Sequence, residues 1–198
     1  MKVLILSTST RRGSLTLRFA RYLKNEIQKL EEAEAVQIQS FEDFDFPSIG
    51  RGKTDPENLS TFQKNLIDSW NEAQVVIICS PEYNWTAGGE FFILTDHLSS
   101  RQFSHLFQNK VFAFAGTSSG RGGRLPALEA GKVISKIISF QNQLSVLSPK
   151  IFEAHEIGQN LSEESVSTGN PVFESGVRDF ARYTMKVARR WIVPEKIA

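Results

Sequence analysis

The sequence predicts an α/β fold, one domain over residues 1–198 built on a doubly wound, five-stranded parallel sheet. Three observations carry this. Short runs of β-branched and aromatic residues recur along the chain, segments with helical periodicity separate them, and 198 residues suit a single core.

The elements follow in order. Val3–Leu6 is continuously apolar, as expected of a strand covered by helices on both faces. Leu17, Ala20, Leu23, Ile27 and Leu30 then recur at helical spacing. In Val36–Gln39, Val36 and Ile38 alternate with glutamines, which marks a more exposed edge strand. Leu59, Phe62, Leu66, Trp70 and Ala73 form the second helical stripe, and Val75–Cys79 the third strand. Ser80–Gly89 reads as a turn-rich loop, followed by an apolar helix from Glu90 to Ser99. Val111–Ala115 is the fourth strand, and Leu125, Leu128, Ile134 and Ile138 mark the next helix. Leu144–Leu147 is the fifth and weakest strand. Ser148 to Pro171 reads as a long irregular connection. Val177, Phe180, Ala181, Thr184, Val187, Ala188 and Trp191 mark the last helix.

Such alternation implies right-handed crossovers. Five strands without a strong sixth favour the flavodoxin-like order 2-1-3-4-5 over the dinucleotide-binding one. Ligands of these sheets bind outside the carboxyl ends of the strands where the order reverses. The loops Thr8–Thr16, Ser80–Gly89 and Gly116–Arg124 would form that rim.

Bulk properties narrow the function. The net charge is +1, so no global field draws in nucleic acid or an anionic membrane surface. Cys79 is the only cysteine, which excludes an internal disulfide and a multi-cysteine metal site. The apolar N-terminal run is too short for a signal peptide, and no stretch is long enough to span a membrane. The expected location is cytoplasmic.

The first loop, Ser7-Thr8-Ser9-Thr10-Arg11-Arg12-Gly13-Ser14-Leu15-Thr16, leads straight into a helix. A terminal phosphate needs several donors converging from one side. Hydroxyls, an arginine and the N–H groups of a helix N-terminus are such a set. The loop has neither G-x-G-x-x-G nor the P-loop pattern, so a phosphomonoester such as FMN is favoured over NAD or ATP. The same residues would also serve a plain helix cap at Ser14 or Thr16 with solvated arginines. Taken alone, the loop leaves both readings open.

Other reactive residues suggest no chemistry. Cys79 ends an apolar strand and reads as core, and the loop behind it lacks the arginine of a phosphatase-type cysteine site. His97, His105 and His155 share no ligand spacing, no G-x-S-x-G elbow exists, and Arg189-Arg190 reads as a solvated helix face. A phosphorelay receiver would need an aspartate where Cys79 and Ser80 stand.

Pro81-Glu82-Tyr83-Asn84, directly after the third strand, resembles the signature of the NADPH-dependent FMN reductases, a family that includes chromate, quinone and azo-dye reductases. Ser9, Arg11 and Ser14 resemble its phosphate loop, and Thr117–Gly123 its glycine-rich flavin loop. Ser148-Pro149-Lys150 falls where the family has a proline-containing segment, so the likeness runs to about residue 150. The chain departs from the pattern at Thr8 (usually glycine), Thr16 (often asparagine), Gly88 (usually proline) and Phe92-Ile93 (usually Lys-Asn). Its glycine loop is also shorter.

The resemblance implies that Ser9, Arg11, Ser14 and Thr16, with backbone near Leu15, hold the FMN phosphate. Pro81, Glu82, Tyr83 and Asn84 would line the isoalloxazine edge, and Ser118, Ser119 and Gly120 its pyrimidine end. It implies no catalytic acid or base and no metal. NADPH or NADH would be the reductant, and a free flavin, quinone, azo compound or metal oxyanion the acceptor. A non-enzymatic electron carrier is the alternative, although such carriers tend to be acidic; a flavin-dependent sensor is another. A homodimer or homotetramer is expected through the helix Glu90–Ser99. Its consecutive Phe91, Phe92, Ile93 and Leu94 point almost all round the axis, and the aromatics of Phe41–Pro47 are expected near the same rim.

Overall fold

The apolar runs become the strands of one sheet in a computed structural model that describes residues 1–192; residues 193–198 of the expected domain lie outside the described part. In chain order the elements are β1 (Lys2–Ser7), α1 (Leu15–Gln28), β2 (Ala35–Ser40), α2 (Thr61–Glu72), β3 (Val75–Tyr83), β4 (Thr86–Ala87), α3 (Gly89–Leu98), β5 (Val111–Thr117), α4 (Arg124–Phe140), β6 (Val146–Leu147), β7 (Phe152–Ala154), α5 (Ile157–Asn160) and α6 (Pro171–Ile192). Short 3-10 segments cover Phe41–Asp43 and Arg101–Phe107.

The sheet has seven strands rather than five, in the order β2-β1-β3-β5-β6. Numbered along the chain this is 2-1-3-5 with additions, not the expected 2-1-3-4-5, and two local causes account for the difference. β3 runs on to Tyr83 and folds back as a hairpin, so that β4 pairs antiparallel with it through Glu82↔Ala87 and Tyr83↔Thr86. The last position is split. β6 pairs with the start of β5 and β7 with its end, and Pro149, which has no N–H to give a ladder, lies between them. Leu144, expected to begin the fifth strand, lies outside it and is 66% exposed. The connection expected to be irregular contains β7 and α5.

Period-two alternation divides the strand side chains between two cores. Val3, Ile5, Val75, Ile77, Val111, Ala113 and Ala115 face α1 and α6, where Phe19, Phe173 and Phe180 fill the space left by the alanines. Leu4, Leu6, Val76, Ile78, Phe112 and Phe114 face α2, α3 and α4. Covering both faces is what a parallel sheet requires. Trp70 is fully buried on the second side and its indole N–H donates to the Leu106 carbonyl at 2.8 Å. The aromatics of Phe41–Pro47 also join this core rather than the rim. Phe41 and Phe46 are buried, and Phe41, Phe44 and Phe46 pack around Phe62. Caps sharpen the helix starts: Ser14 accepts from Leu17 N, and Ser60 and Gln63 make a capping box.

Among the described residues no helix is long and apolar enough to cross a membrane.

Candidate functional site

β1, β3 and β5 end side by side, and the loops that follow them enclose a cleft of about 270 Å³. Of the residues expected at the site, Ser9, Arg11, Ser14, Leu15, Thr16, Pro81, Glu82, Tyr83, Ser118 and Ser119 line it, joined by Arg12, Gly13 and Thr117. Asn84 and Gly120 do not; both are exposed at loop tips.

The first loop divides its polar groups between structure and cleft. Ser14 Oγ is spent on capping α1, and Thr16 Oγ1 shares a buried 2.7 Å hydrogen bond with Thr117 Oγ1. Thr16 is therefore a brace between the first and third loops more than a free hydroxyl. The N–H groups of Leu15 and Thr16, in the first turn, have no partner four residues back within the helix. Arg12 pairs with Asp43 at 2.7 Å, and Gly13 N–H donates to Glu42 Oε1 at 2.6 Å. Arg11 differs. Its guanidinium lies 4.4 Å from the centroid of the Tyr83 ring, and among the described residues no acid pairs with it.

The second and third loops are tied together by contacts with no short-range signature. The Glu82 carboxylate accepts from Gly123 N–H at 3.1 Å, across 41 positions of sequence. A Cβ at Gly122 would stand 1.6 Å from Glu82 Oε2, and one at Gly116 would stand 1.7 Å from the Gly123 carbonyl oxygen. Gly116 demands glycine because backbone meets backbone there, whereas a side chain at Gly122 would have to push the Glu82 carboxylate aside. Tyr83 OH meets Ser9 Oγ at 2.7 Å, joining the second loop to the first.

The hairpin after Tyr83 turns through Asn84 (φ 49°) and Trp85 (φ 63°). Two left-handed residues in a two-residue loop are the signature of a type I′ turn. Neither is glycine, so the turn is not evident in the sequence. Glu129 of α4 holds the hairpin from behind, accepting from Thr86 Oγ1 at 2.7 Å and Ala87 N–H at 2.8 Å.

Cys79, beneath the cleft, is fully buried, and burial pushes its thiol pKa far up, which keeps it unreactive. A larger hollow of about 530 Å³ lies by Lys53, His97 and Arg101. Both ring nitrogens of His97 are occupied there: Nε2 donates to the Pro47 carbonyl at 2.8 Å, which leaves Nδ1 to accept from Thr54 Oγ1 at 3.0 Å. That histidine is structural.

A family model described as NADPH-dependent FMN reductase matches residues 1–147. No curated protein matches the chain in sequence. Among solved structures the chain is similar to FerB, a flavoenzyme NAD(P)H:(acceptor) oxidoreductase from Paracoccus denitrificans, with TM-score 0.73, 15% identity and coverage of 96% of this chain and 98% of that one. It is also similar to an NADH:FMN oxidoreductase, EmoB, in apo form (TM-score 0.64, 18% identity, 98% and 96% covered). A third is a flavodoxin, WrbA-like protein from Agrobacterium tumefaciens (TM-score 0.54, 17% identity, 96% and 98% covered). At these identities the structural likeness establishes the fold.

Proposed function

Because the chain belongs to the NADPH-dependent FMN reductase family, we propose that its cleft holds FMN and that the protein is an NAD(P)H-dependent oxidoreductase acting on a small acceptor. The observation that carries this is Arg11: a cation without an acid partner, in one cleft with the unpaired first-turn N–H groups of α1. A terminal phosphate satisfies both at once. The reading takes residues 1–198 as one FMN-binding domain and its place as cytoplasmic.

In this reading the Ser9 and Arg11 side chains and the N–H groups of Leu15 and Thr16 hold the phosphate, while Ser14 caps the helix and its hydroxyl proton can still donate. Pro81, Glu82 and Tyr83 line the ring edge, with Asn84 at the loop tip beyond them. At the pyrimidine end the donors are the Ser118 and Ser119 hydroxyls and the Ser119 N–H, since the N–H groups of Ser118 and Gly120 are used on Ala154 and Ser118. FMN when bound supplies hydride transfer, so the protein contributes binding, orientation and electrostatics rather than a nucleophile. Donors fixed at the pyrimidine end stabilise negative charge there without reorganising. Nicotinamide and acceptor use one open face in turn, so steady-state lines at different acceptor concentrations run parallel; intersecting lines contradict shared occupancy. Free flavin, quinone, azo compound and metal oxyanion are the acceptor classes.

The protein is proposed to form a homodimer or homotetramer through α3 and α4. Phe92 and Ile93 of α3 are only half-buried, and Leu125 and Leu128 of the neighbouring α4 are 48% and 44% exposed. Sedimentation tests this, and a monomer at high concentration refutes it.

The function itself is tested by the visible spectrum of the purified protein after FMN addition, followed by NAD(P)H oxidation with a generic quinone. Binding with turnover supports the reductase; binding without turnover identifies an electron carrier or sensor instead.

A further inference from the structure

Trp85 is placed at some cost beside the cleft. Its backbone is left-handed, a conformation that glycine or asparagine takes far more readily than a residue with a bulky side chain. Its side chain is 76% exposed. Among the described residues no aromatic pair and no hydrogen bond engages its indole, whereas Trp70 is buried and has its N–H satisfied. Nothing in the fold uses the ring.

The turn that presents it is braced on two sides. The Tyr83↔Thr86 pair closes the hairpin, and Glu129 holds Thr86 and Ala87 from behind. Tyr83, two residues before Trp85, forms a wall of the cleft. At about 3.3 Å per residue, the Trp85 backbone lies within roughly 7 Å of that wall. Trp85 does not line the cleft itself, but from this stem its exposed indole is within a side chain's length of the Tyr83 wall.

We propose that Trp85 is a specificity residue whose indole forms a stacking platform for a flat aromatic ring entering the cleft, either the acceptor or the nicotinamide of the donor. The inference rests on the FMN-reductase reading and narrows it: flat ring acceptors are preferred over compact inorganic ones. Stacking on an indole needs no charge and fixes only two side-chain torsions, which suits a site visited in turn by different planar molecules.

The test is steady-state kinetics of the FMN-loaded enzyme and its Trp85→Gly and Trp85→Phe variants, with NADPH as donor. Glycine accepts the left-handed turn without strain, so the fold and FMN binding are expected to persist. The Michaelis constant for a naphthoquinone or for NADPH is expected to rise roughly three- to tenfold in Trp85→Gly and to recover in Trp85→Phe. Which of the two rises identifies the ring. The maximal rate with ferricyanide, compact and non-aromatic, is expected to stay unchanged at saturating NADPH. Independently of turnover, the naphthoquinone, or NADP+ where the donor's ring is the one that stacks, is expected to quench saturably the part of the indole emission that Trp85→Phe removes. Unchanged constants for both planar reactants overturn the proposal, as does an equal loss of maximal rate with ferricyanide at saturating NADPH. Conversion of an oligomer to monomer by Trp85→Gly also overturns it, because the ring is then a subunit contact. A wild-type protein that binds no FMN refutes the underlying function, a result the FMN titration gives separately.

Discussion

The two ends of the sheet treat a cation in opposite ways. At the amino end, Lys110 precedes β5, is 4% exposed, and donates to the carbonyls of Asn71 and Ala73 at 3.1 and 2.6 Å. It closes the end of α2, where carbonyls lack intrahelical partners. At the carboxyl end, Arg11 is exposed, rests on Tyr83 and meets no acid among the described residues. Arg12 beside it is paired with Asp43. Under the proposed function, the difference is that between a structural cation and one held for a ligand. Lys110 has spent its donors within the fold; Arg11 has kept them.

Substitutions at the two ends should therefore fail in different assays. The largest effect is expected from Arg11→Ala. Losing a charge-assisted contact costs about 1.5–3 kcal/mol, or roughly 10- to 100-fold in FMN affinity. The melting temperature of the ligand-free protein should barely move. A fall in stability without a change in affinity would make Arg11 a structural residue like Lys110.

Lys110→Met should show the converse, unchanged FMN binding and altered stability. Burial pulls the Lys110 ammonium down to about 8 from its usual 10.5. Between those values the unfolded chain binds the proton that the folded chain lacks, so the lysine's contribution to stability rises with pH across that window. Below about pH 8 both states are protonated and the cost of burying the charge is felt in full. Denaturant titrations from pH 7 to 10 should show wild type gaining on Lys110→Met by roughly 1–2 kcal/mol. A parallel pair of pH profiles would contradict this.

Smaller effects belong to the braces. Tyr83→Phe removes the hydrogen bond to Ser9 and should weaken FMN by about 1 kcal/mol, roughly fivefold, through loosening of the first loop. Arg12→Ala removes an exposed pair and should change affinity by less than about fivefold, since such pairs contribute ~0–1 kcal/mol. Equal losses for Arg11→Ala and Arg12→Ala would mean that the loop presents both cations to the ligand.

Much of this was legible in sequence because it is local or periodic. The runs Val3–Leu6, Val75–Cys79 and Val111–Ala115 became central strands, and the hydroxyls and arginines of the first loop lie before α1 as their order suggested. Contacts made across long separations were not legible. Nothing near Glu82 announces that its carboxylate closes on Gly123, and nothing near Thr16 announces Thr117. The hairpin was missed because Asn84-Trp85 lacks the glycine that usually signals a left-handed turn. The aromatics of Phe41–Pro47 suggested a surface patch, yet they cluster around Phe62, since a long connection can bury its own side chains.

The claim that the first loop is a terminal-phosphate site is tested most directly by comparing FMN and riboflavin, which differ only in that phosphate. Fluorescence titration of each flavin into ligand-free protein should give FMN a dissociation constant lower by about tenfold or more, with the gap largely lost in Arg11→Ala. Equal affinities for FMN and riboflavin in the wild-type protein would contradict the account.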